Sequence, residues 1–223
     1  MEEKIFDGLK YLVYYPKNFS EDKKHPLILF LHGAGTRSSS ADKLKGGTSL
    51  ENLQKYQDER GYVIVAPLCP EESNWYEQMN VLLRLVETIR QLPYIDKTRV
   101  HVTGKSMGGY GTWAICTLKP HWFASAMPLC GGGIPGFSKY LVDVPFRAFH
   151  GLCDTTVDPI ESLQMAKAVN AAGGYVELIL LPHVTHNCWT PAYSDEKNID
   201  WLLSYTKENE STADVNMTGA YYG

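Results

Sequence analysis

The stretch VHVTGKSMGGYG, from Val100 to Gly111, constrains the fold more than any other part of the chain. Its first residues alternate β-branched side chains, which is typical of a buried strand. The glycines at positions 104, 108 and 109 allow the backbone to turn sharply from strand into helix. Gly104-Lys105-Ser106-Met107-Gly108 has the G-x-S-x-G spacing that lifts a serine hydroxyl out of a sheet. The stretch therefore predicts Ser106 as a nucleophile at the edge of a sheet.

Two nucleotide-binding patterns overlap this stretch, and neither fits. A phosphate-binding P-loop needs a glycine five residues before its Gly-Lys-Ser, and that position is Arg99. Gly109, Gly111 and Ala114 match a dinucleotide fingerprint by residue type, but they fall inside the following helix. No acidic residue follows about 20 residues later, where that fingerprint needs one to bind the ribose. Nucleotide binding is therefore not predicted.

Composition excludes several function classes. The chain has 223 residues and 44% apolar residues, which suits one globular domain. Its net charge is −4 and it has no dense Lys/Arg run, so neither nucleic acid nor an anionic membrane is an expected partner. The longest apolar run, LILFL, is too short to span a bilayer, and the acidic start lacks the apolar core of a signal peptide. We therefore expect a cytoplasmic location.

Apolar runs alternate with amphipathic segments from residue 27 onward. The alternation predicts an α/β fold with a mostly parallel central sheet flanked by helices. The early segment LKYLVYYP is expected to add antiparallel strands at the sheet edge. The longest loop after the nucleophile, residues 131–144, is too short for a lid domain. We expect one catalytic domain over residues 1–206 and a polar C-terminal tail over residues 207–223.

A serine hydroxyl is a weak nucleophile at neutral pH, so Ser106 needs a histidine base that a carboxylate orients. These partners must follow later strands, because side chains at the carboxyl ends of parallel strands share one edge. His186 follows the strand YVELILLP, and Asp154 follows the strand FRAFHG. His183 is an alternative base, although it lies directly after Pro182. An ordinary histidine base predicts that activity falls as the pH drops through roughly 6 to 7.

Asp158 is the alternative acid, but the sequence Asp158-Pro159-x-Glu161 better predicts the start of a helix with Asp158 as its N-cap. His32 and His150 each precede a glycine at a strand end, which favours a role in shaping loops rather than a base. The five cysteines are scattered without C-x-x-C spacing, so neither disulfides nor a structural metal site is expected.

An acyl-transfer site also needs N–H donors for the oxyanion. The backbone of Met107, directly after the nucleophile, is one candidate. The second is Ala34 in the sequence HGAG after the first long strand, where Gly33 and Gly35 allow close approach of the backbone.

Five segments in this order resemble the α/β-hydrolase superfamily. They are LFLHGAG, APLCPEESNW, DKTRVHVTGKSMGGYGTWA, FHGLCDTTVDP and HVTHNCWTPAY with WLL. Within it they are similar to lidless carboxylesterases, to polyhydroxybutyrate-depolymerase-like and feruloyl-esterase-like serine esterases, and to prolyl-oligopeptidase-type catalytic domains. The resemblance implies that Ser106, Asp154 and His186 are nucleophile, orienting acid and base, and that Ala34 and Met107 hold the oxyanion.

The surrounding residues suggest how a substrate binds. Trp75 and Trp189 fall in loops at the same edge as Ser106, where they are candidates to line an aromatic acyl or alcohol pocket. Lys105 departs from the resemblance, whose members more often carry an apolar or acidic residue there. Its long stem can bring an ammonium group to the mouth of the cleft and favour anionic esters. A solvated or locally paired Lys105 is the alternative.

These observations predict a serine hydrolase that cleaves a small-molecule or glycan-linked carboxylic ester through an acyl-enzyme, without metal or organic cofactor. A serine peptidase is the alternative enzyme, although the sequence has no propeller repeats of the prolyl-oligopeptidase type. A binding protein on a hydrolase scaffold is the non-enzyme alternative, yet no candidate triad residue is missing. Whether copies of the chain form a homo-oligomer is left open.

Overall fold

A computed structural model describes residues 1–207 of the chain, in which eight strands form one sheet. The strands are β1 (Glu2–Phe6), β2 (Leu9–Tyr14), β3 (His25–Leu31), β4 (Val63–Pro67), β5 (Ile95–Lys105), β6 (Ser125–Leu129), β7 (Phe146–Gly151) and β8 (Val176–Leu181). Their order in the sheet is β1-β2-β4-β3-β5-β6-β7-β8. The first two pair antiparallel at one edge, and all later strands run parallel. The predicted fold class is confirmed.

Helices lie between most of the parallel strands and after the last one. They are α1 (Asp42–Lys45), α2 (Thr48–Lys55), α3 (Gln57–Arg60), α4 (Met79–Arg90), α5 (Met107–Leu118), α6 (Ile160–Ala171), α7 (Trp189–Ser194) and α8 (Glu196–Leu203). Within the described residues, none of the helices is both long enough and apolar enough to cross a membrane.

Burial explains why the central strands carry continuous apolar runs rather than alternating ones. Every residue of β3, β4 and β6 is buried, because helices cover both faces of the sheet. One apolar cluster packs α4 and α5 against one face, and a second packs α2, α7 and α8 against the other. The registers align Leu31 with Gly104 and Lys105 with Leu129, so neighbouring strands end at a common edge.

The structure corrects the prediction at several connections. The segment between β3 and β4 folds into α1, α2 and α3, which the alternation of apolar runs did not reveal. The loop over residues 131–144 contains a short 3-10 helix, Pro135–Tyr140. No lid domain is present in the part of the chain that the structure describes.

The predicted C-terminal tail lies almost wholly outside the described residues. Its first residue, Lys207, donates its backbone N–H to the Thr98 carbonyl at 2.8 Å. Its ammonium donates to the carbonyls of Pro120 and Asp143, both at 2.9 Å. The tail thus begins in contact with the domain at Lys207, and residues 208–223 are not described.

Candidate active site

Ser106 lies at the turn between β5 and α5. Its backbone has φ 56° and ψ −120°, a region that residues with a side chain rarely adopt and that costs about 1–3 kcal/mol. The turn is fixed from two directions: the Ser106 N–H donates to the Leu129 carbonyl at 2.9 Å, and the Ser106 carbonyl accepts from Tyr110 N–H at 3.1 Å. The strained turn thus presents the Ser106 side chain at the carboxyl edge of the sheet.

The turn requires glycine on both sides of the serine. A Cβ atom at Gly108 would lie 1.9 Å from the Leu31 carbonyl oxygen, and one at Gly104 would lie 2.3 Å from the Gly108 carbonyl oxygen. Any side chain at either position would therefore push β3, β5 and α5 apart. The G-x-S-x-G spacing is explained by close packing of backbone on backbone.

Ser106, His186 and Asp154 form a continuous hydrogen-bonded chain. His186 Nε2 lies 2.9 Å from Ser106 Oγ, and His186 Nδ1 lies 2.7 Å from Asp154 Oδ2. Since a carboxylate only accepts, the Nδ1–H must donate to Asp154, and Nε2 of the neutral ring is left to accept the serine proton. The structure thus brings together the three residues that the sequence predicted, from the ends of β5, β7 and β8.

Asp154 is held as a carboxylate. Burial favours its neutral acid, but hydrogen bonds from His186 and from the N–H groups of Val157 and Thr156 outweigh burial and hold its pKa below the usual value. The two N–H groups donate to Oδ1 at 3.0 and 2.8 Å, which leaves Oδ2 for His186. His150, fully buried, also lies 3.2 Å from Oδ2. Asp154 is thereby fixed in one orientation.

The two alternative residues have other surroundings. Asp158 Oδ1 accepts the N–H of Ile160 at 2.9 Å at the start of α6, as expected of a helix cap. His183 is exposed and has a left-handed φ of 60°. Neither is part of the hydrogen-bonded chain that contains Ser106.

Cys130, which the sequence reasoning did not select, lies directly beside the base. Among the described residues, Cys130, Asp154 and His186 form the one group of three potential metal ligands, with donor atoms all within 4.8 Å of one another. Cys188 and burial raise the pKa of the Cys130 thiol far above its usual value, so it stays neutral. Because His186 and Asp154 are already bonded to each other, the group needs no metal to explain it, and the absence of a metal stays a prediction.

The pKa of His186 differs from the ordinary value assumed from sequence. A contact with Cys130 and, against the opposing effect of burial, the Asp154 carboxylate raise it to about 9. Because the Cys130 thiol is neutral, the charge that favours the protonated ring is that of Asp154. The expected fall in activity through pH 6 to 7 is therefore replaced by one at higher pH. The sequence did contain a signal for Cys130, because this residue directly follows the strand β6 and so lies at the same sheet edge as Ser106. Its backbone φ of 39° is also positive.

The candidate oxyanion donors begin two helices. Met107 is the first residue of α5, and Ala34 is the first residue of a short 3-10 helix. N–H groups at such positions have no carbonyl partner within their own helix. A Cβ atom at Gly33 would lie only 3.4 Å from Ser106 Cβ, so the HGAG loop lies directly against the nucleophile. The placement fits the predicted oxyanion role of both residues.

His32 supports that loop rather than acting as a base. It accepts the Cys69 N–H at Nε2, 2.9 Å away, so its Nδ1–H donates to the Gly33 carbonyl at 2.8 Å. Burial lowers its pKa to about 4, which keeps the ring neutral. The Trp75 indole donates to the His32 carbonyl at 2.9 Å.

The prediction that Trp75 lines a substrate pocket is wrong. Its side chain is fully buried in the core, so it has no surface to offer a ligand. The sequence placed it correctly near the edge, but the indole packs inward because α4 and α5 cover that face. It acts on the site only by supporting the loop at His32.

Trp189 and Lys105 lie together beside His186. The Trp189 ring packs edge-on against the His186 ring, with centroids 5.4 Å apart. The Lys105 ammonium lies 4.2 Å from the Trp189 ring centroid, and burial lowers its pKa. Lys105 is thus stacked on an indole rather than free at the mouth of a cleft. This agrees with the alternative prediction of a locally paired lysine. Trp189 remains a candidate for contact with substrate.

Comparison with known proteins gives the same fold. No family model matches the chain. A poly(3-hydroxyalkanoate) depolymerase C from Paucimonas lemoignei is 28% identical over 125 residues, which are 48% of this chain and 28% of the depolymerase. A dipeptidyl-peptidase 5 from Aspergillus fumigatus is 31% identical over 122 residues, 47% of this chain and 16% of the peptidase.

Among solved structures, a thermostable esterase superposes with a TM-score of 0.80 at 31% identity. The match covers 89% of this chain and 59% of the esterase chain. The chain therefore spans less than two thirds of each of these three relatives. Its sheet order, its strained Ser106 turn and these similarities agree, and the chain has the α/β-hydrolase fold.

Proposed function

We propose that the protein is a serine hydrolase that cleaves carboxylic esters through an acyl-enzyme. The observation that carries the proposal is the hydrogen-bonded chain from Ser106 through His186 to Asp154, with separations of 2.9 and 2.7 Å. Similarity to an esterase and to a polyester depolymerase supports esters as the substrate class.

The geometry supplies each proton transfer of the reaction. Neutral His186 accepts the Ser106 proton at Nε2 while Oγ attacks the ester carbonyl, and Asp154 stabilises the imidazolium that forms. The backbone N–H groups of Ala34 and Met107 bind the oxyanion. His186 then gives its proton to the departing alcohol, which leaves Ser106 acylated. Water, deprotonated by His186, then attacks the acyl-enzyme, and His186 returns that proton to Ser106 Oγ as the carboxylic acid leaves.

The proposal includes what the sequence alone predicted about partners and setting. It assigns a small-molecule or glycan-linked ester as substrate, with no cofactor, no metal, no nucleic acid and no membrane partner. A cytoplasmic location is part of it.

A peptidase is the second candidate, favoured by the similarity to dipeptidyl-peptidase 5. The chain spans only 16% of that protein, and the site described above would serve an amide as well as an ester. Amide substrates therefore belong in any test of the proposal.

The test is a kinetic comparison of acetyl, butyryl, long-chain and hydroxycinnamoyl esters with matched amides. Esters should be hydrolysed, and Ser106→Ala should lower kcat by a factor of about 10⁴ or more. Cleavage of the amides at a similar kcat/KM would favour the peptidase. Failure to turn over any ester or amide would point to a binding protein on a hydrolase scaffold.

A further inference from the structure

Helix α5 is buried except along one stripe that starts at the nucleophile. Within it, only Met107, Tyr110, Ala114 and Leu118 are partly exposed, and the other eight residues are buried. Spacings of three, four and four residues place these side chains on one face of the helix. None of these four side chains is charged, although the Glu161 carboxylate lies beside Tyr110. The stripe leads away from the proposed oxyanion donor Met107.

A cavity of ≈ 260 Å³ lies at the far end of the stripe. Ala114 and Leu118 form part of its floor, and Tyr76, Ile134 and Phe137 form walls. The Tyr76 and Ile134 side chains are 52% and 53% exposed, high values for large apolar residues. An open apolar depression of this kind is suited to an apolar ligand.

The walls of the cavity come from the loops that also frame the nucleophile. Tyr76 directly follows Trp75, whose indole holds the His32 carbonyl beside the oxyanion loop. Ile134 is in the connection that begins at Cys130, beside His186. The cavity thus lies between two loops that begin beside the proposed active site, and the stripe of α5 runs from Ser106 toward it.

The length of the stripe sets the length of chain that a ligand needs to reach the cavity. At 1.5 Å per residue, Ala114 lies about 12 Å and Leu118 about 18 Å along the helix from Ser106. A zigzag chain with C–C bonds of about 1.5 Å needs roughly ten carbons to reach Ala114. His186 must face the departing alcohol oxygen, so the acyl chain points away from His186 and its neighbour Trp189. Trp189 packs on the opposite face of the sheet from Trp113 of the cavity.

Building on the proposed ester hydrolysis, we propose that the stripe of α5 and the cavity at its far end, together called the α5 groove, bind the aliphatic acyl chain of long-chain esters. Each methylene that leaves water for an apolar groove is worth up to about fourfold in affinity. Chain length should therefore raise kcat/KM most steeply once the chain passes roughly ten carbons and enters the cavity.

The test uses acetyl, octanoyl and dodecanoyl p-nitrophenyl esters, each below the concentration at which it aggregates, and the variant Ala114→Phe. The phenyl ring fills the groove at the entrance to the cavity, while an acetyl group is too short to reach it. We expect the dodecanoyl-to-acetyl ratio of kcat/KM to fall at least tenfold. The control is Ala171→Phe, since Ala171 is an exposed alanine of α6 outside the groove, and the ratio should not change.

The outcomes separate this inference from the proposed function. If esters are hydrolysed but Ala114→Phe leaves the ratio unchanged, the groove assignment is wrong and ester hydrolysis stands. If no ester is hydrolysed, the proposed function fails first. If kcat/KM of the wild type does not rise from the acetyl to the dodecanoyl ester, the acyl assignment is overturned. If Ala114→Phe leaves the ratio unchanged and instead alters the oligomeric state in size-exclusion chromatography, the stripe is a contact between two copies of the chain.

Discussion

The two neighbours of Ser106 in the sequence have opposite surroundings. Lys105 faces the second apolar cluster, where its ammonium is stacked on Trp189 next to His186. Met107 starts the partly exposed apolar stripe of α5 that leads to an open cavity. The charged side is thus occupied by protein, and the apolar side is open. From the comparison we expect substrate selection to depend on apolar contacts along α5 more than on the charge of Lys105.

The largest expected effect tests the hydrogen-bonded chain that both sides share. Asp154→Asn should lower kcat by about 10⁴, because the amide can no longer hold His186 in the required tautomer. Asp158→Asn, four residues away in the same loop, is the matched control. It should change kcat little, since asparagine caps a helix as well as aspartate does. Steady-state kinetics of both variants on one ester decide the assignment, and the reverse ranking would move the acid to Asp158.

The next effect concerns the base, His186, which lies on the same side of the site as Lys105. A pKa of about 9 for His186 means that the base is increasingly protonated, and inactive, as the pH falls below 9. The kcat/KM of a neutral ester should therefore lose about tenfold per pH unit below that value. A wild-type midpoint at or below pH 6.5 would contradict this account.

The smallest expected effect concerns Lys105 itself. Since its ammonium is stacked on Trp189, Lys105→Met should change kcat/KM for matched neutral and anionic esters by the same small factor. The loss of the cation–π contact should lower the free energy of unfolding by about 1 kcal/mol, measurable as a shift in Tm. A loss of several-fold confined to the anionic ester, and reduced by salt, would show instead that Lys105 binds substrate.

The sequence could predict the positions of the catalytic residues because short motifs fix them. The positions of Ser106, Asp154 and His186 follow from strands that end at one edge and from backbone geometry that only glycine permits at Gly104 and Gly108. Both properties are local, so they are readable from short motifs. The mostly parallel sheet with helices on both faces also follows, because continuous apolar runs require cover on both faces.

The surroundings of the site were less predictable because they depend on contacts between distant segments. Trp75 lies in the expected loop, yet its indole turns into the core. The partner of Lys105, Trp189, is 84 positions away in the sequence, and no local pattern joins the two. The helices α1, α2 and α3 escaped prediction because each is short, the longest having eight residues.

The most direct test of the central claim, that Ser106 is a nucleophile activated by His186, is covalent labelling with a fluorophosphonate followed by peptide mass mapping. A phosphonate reacts only with an activated hydroxyl, so heat-denatured protein and Ser106→Ala are the controls. We expect a single adduct on the peptide that contains Ser106 in the native protein and none in either control. An adduct on a different serine, or labelling that persists in Ser106→Ala, would contradict the account.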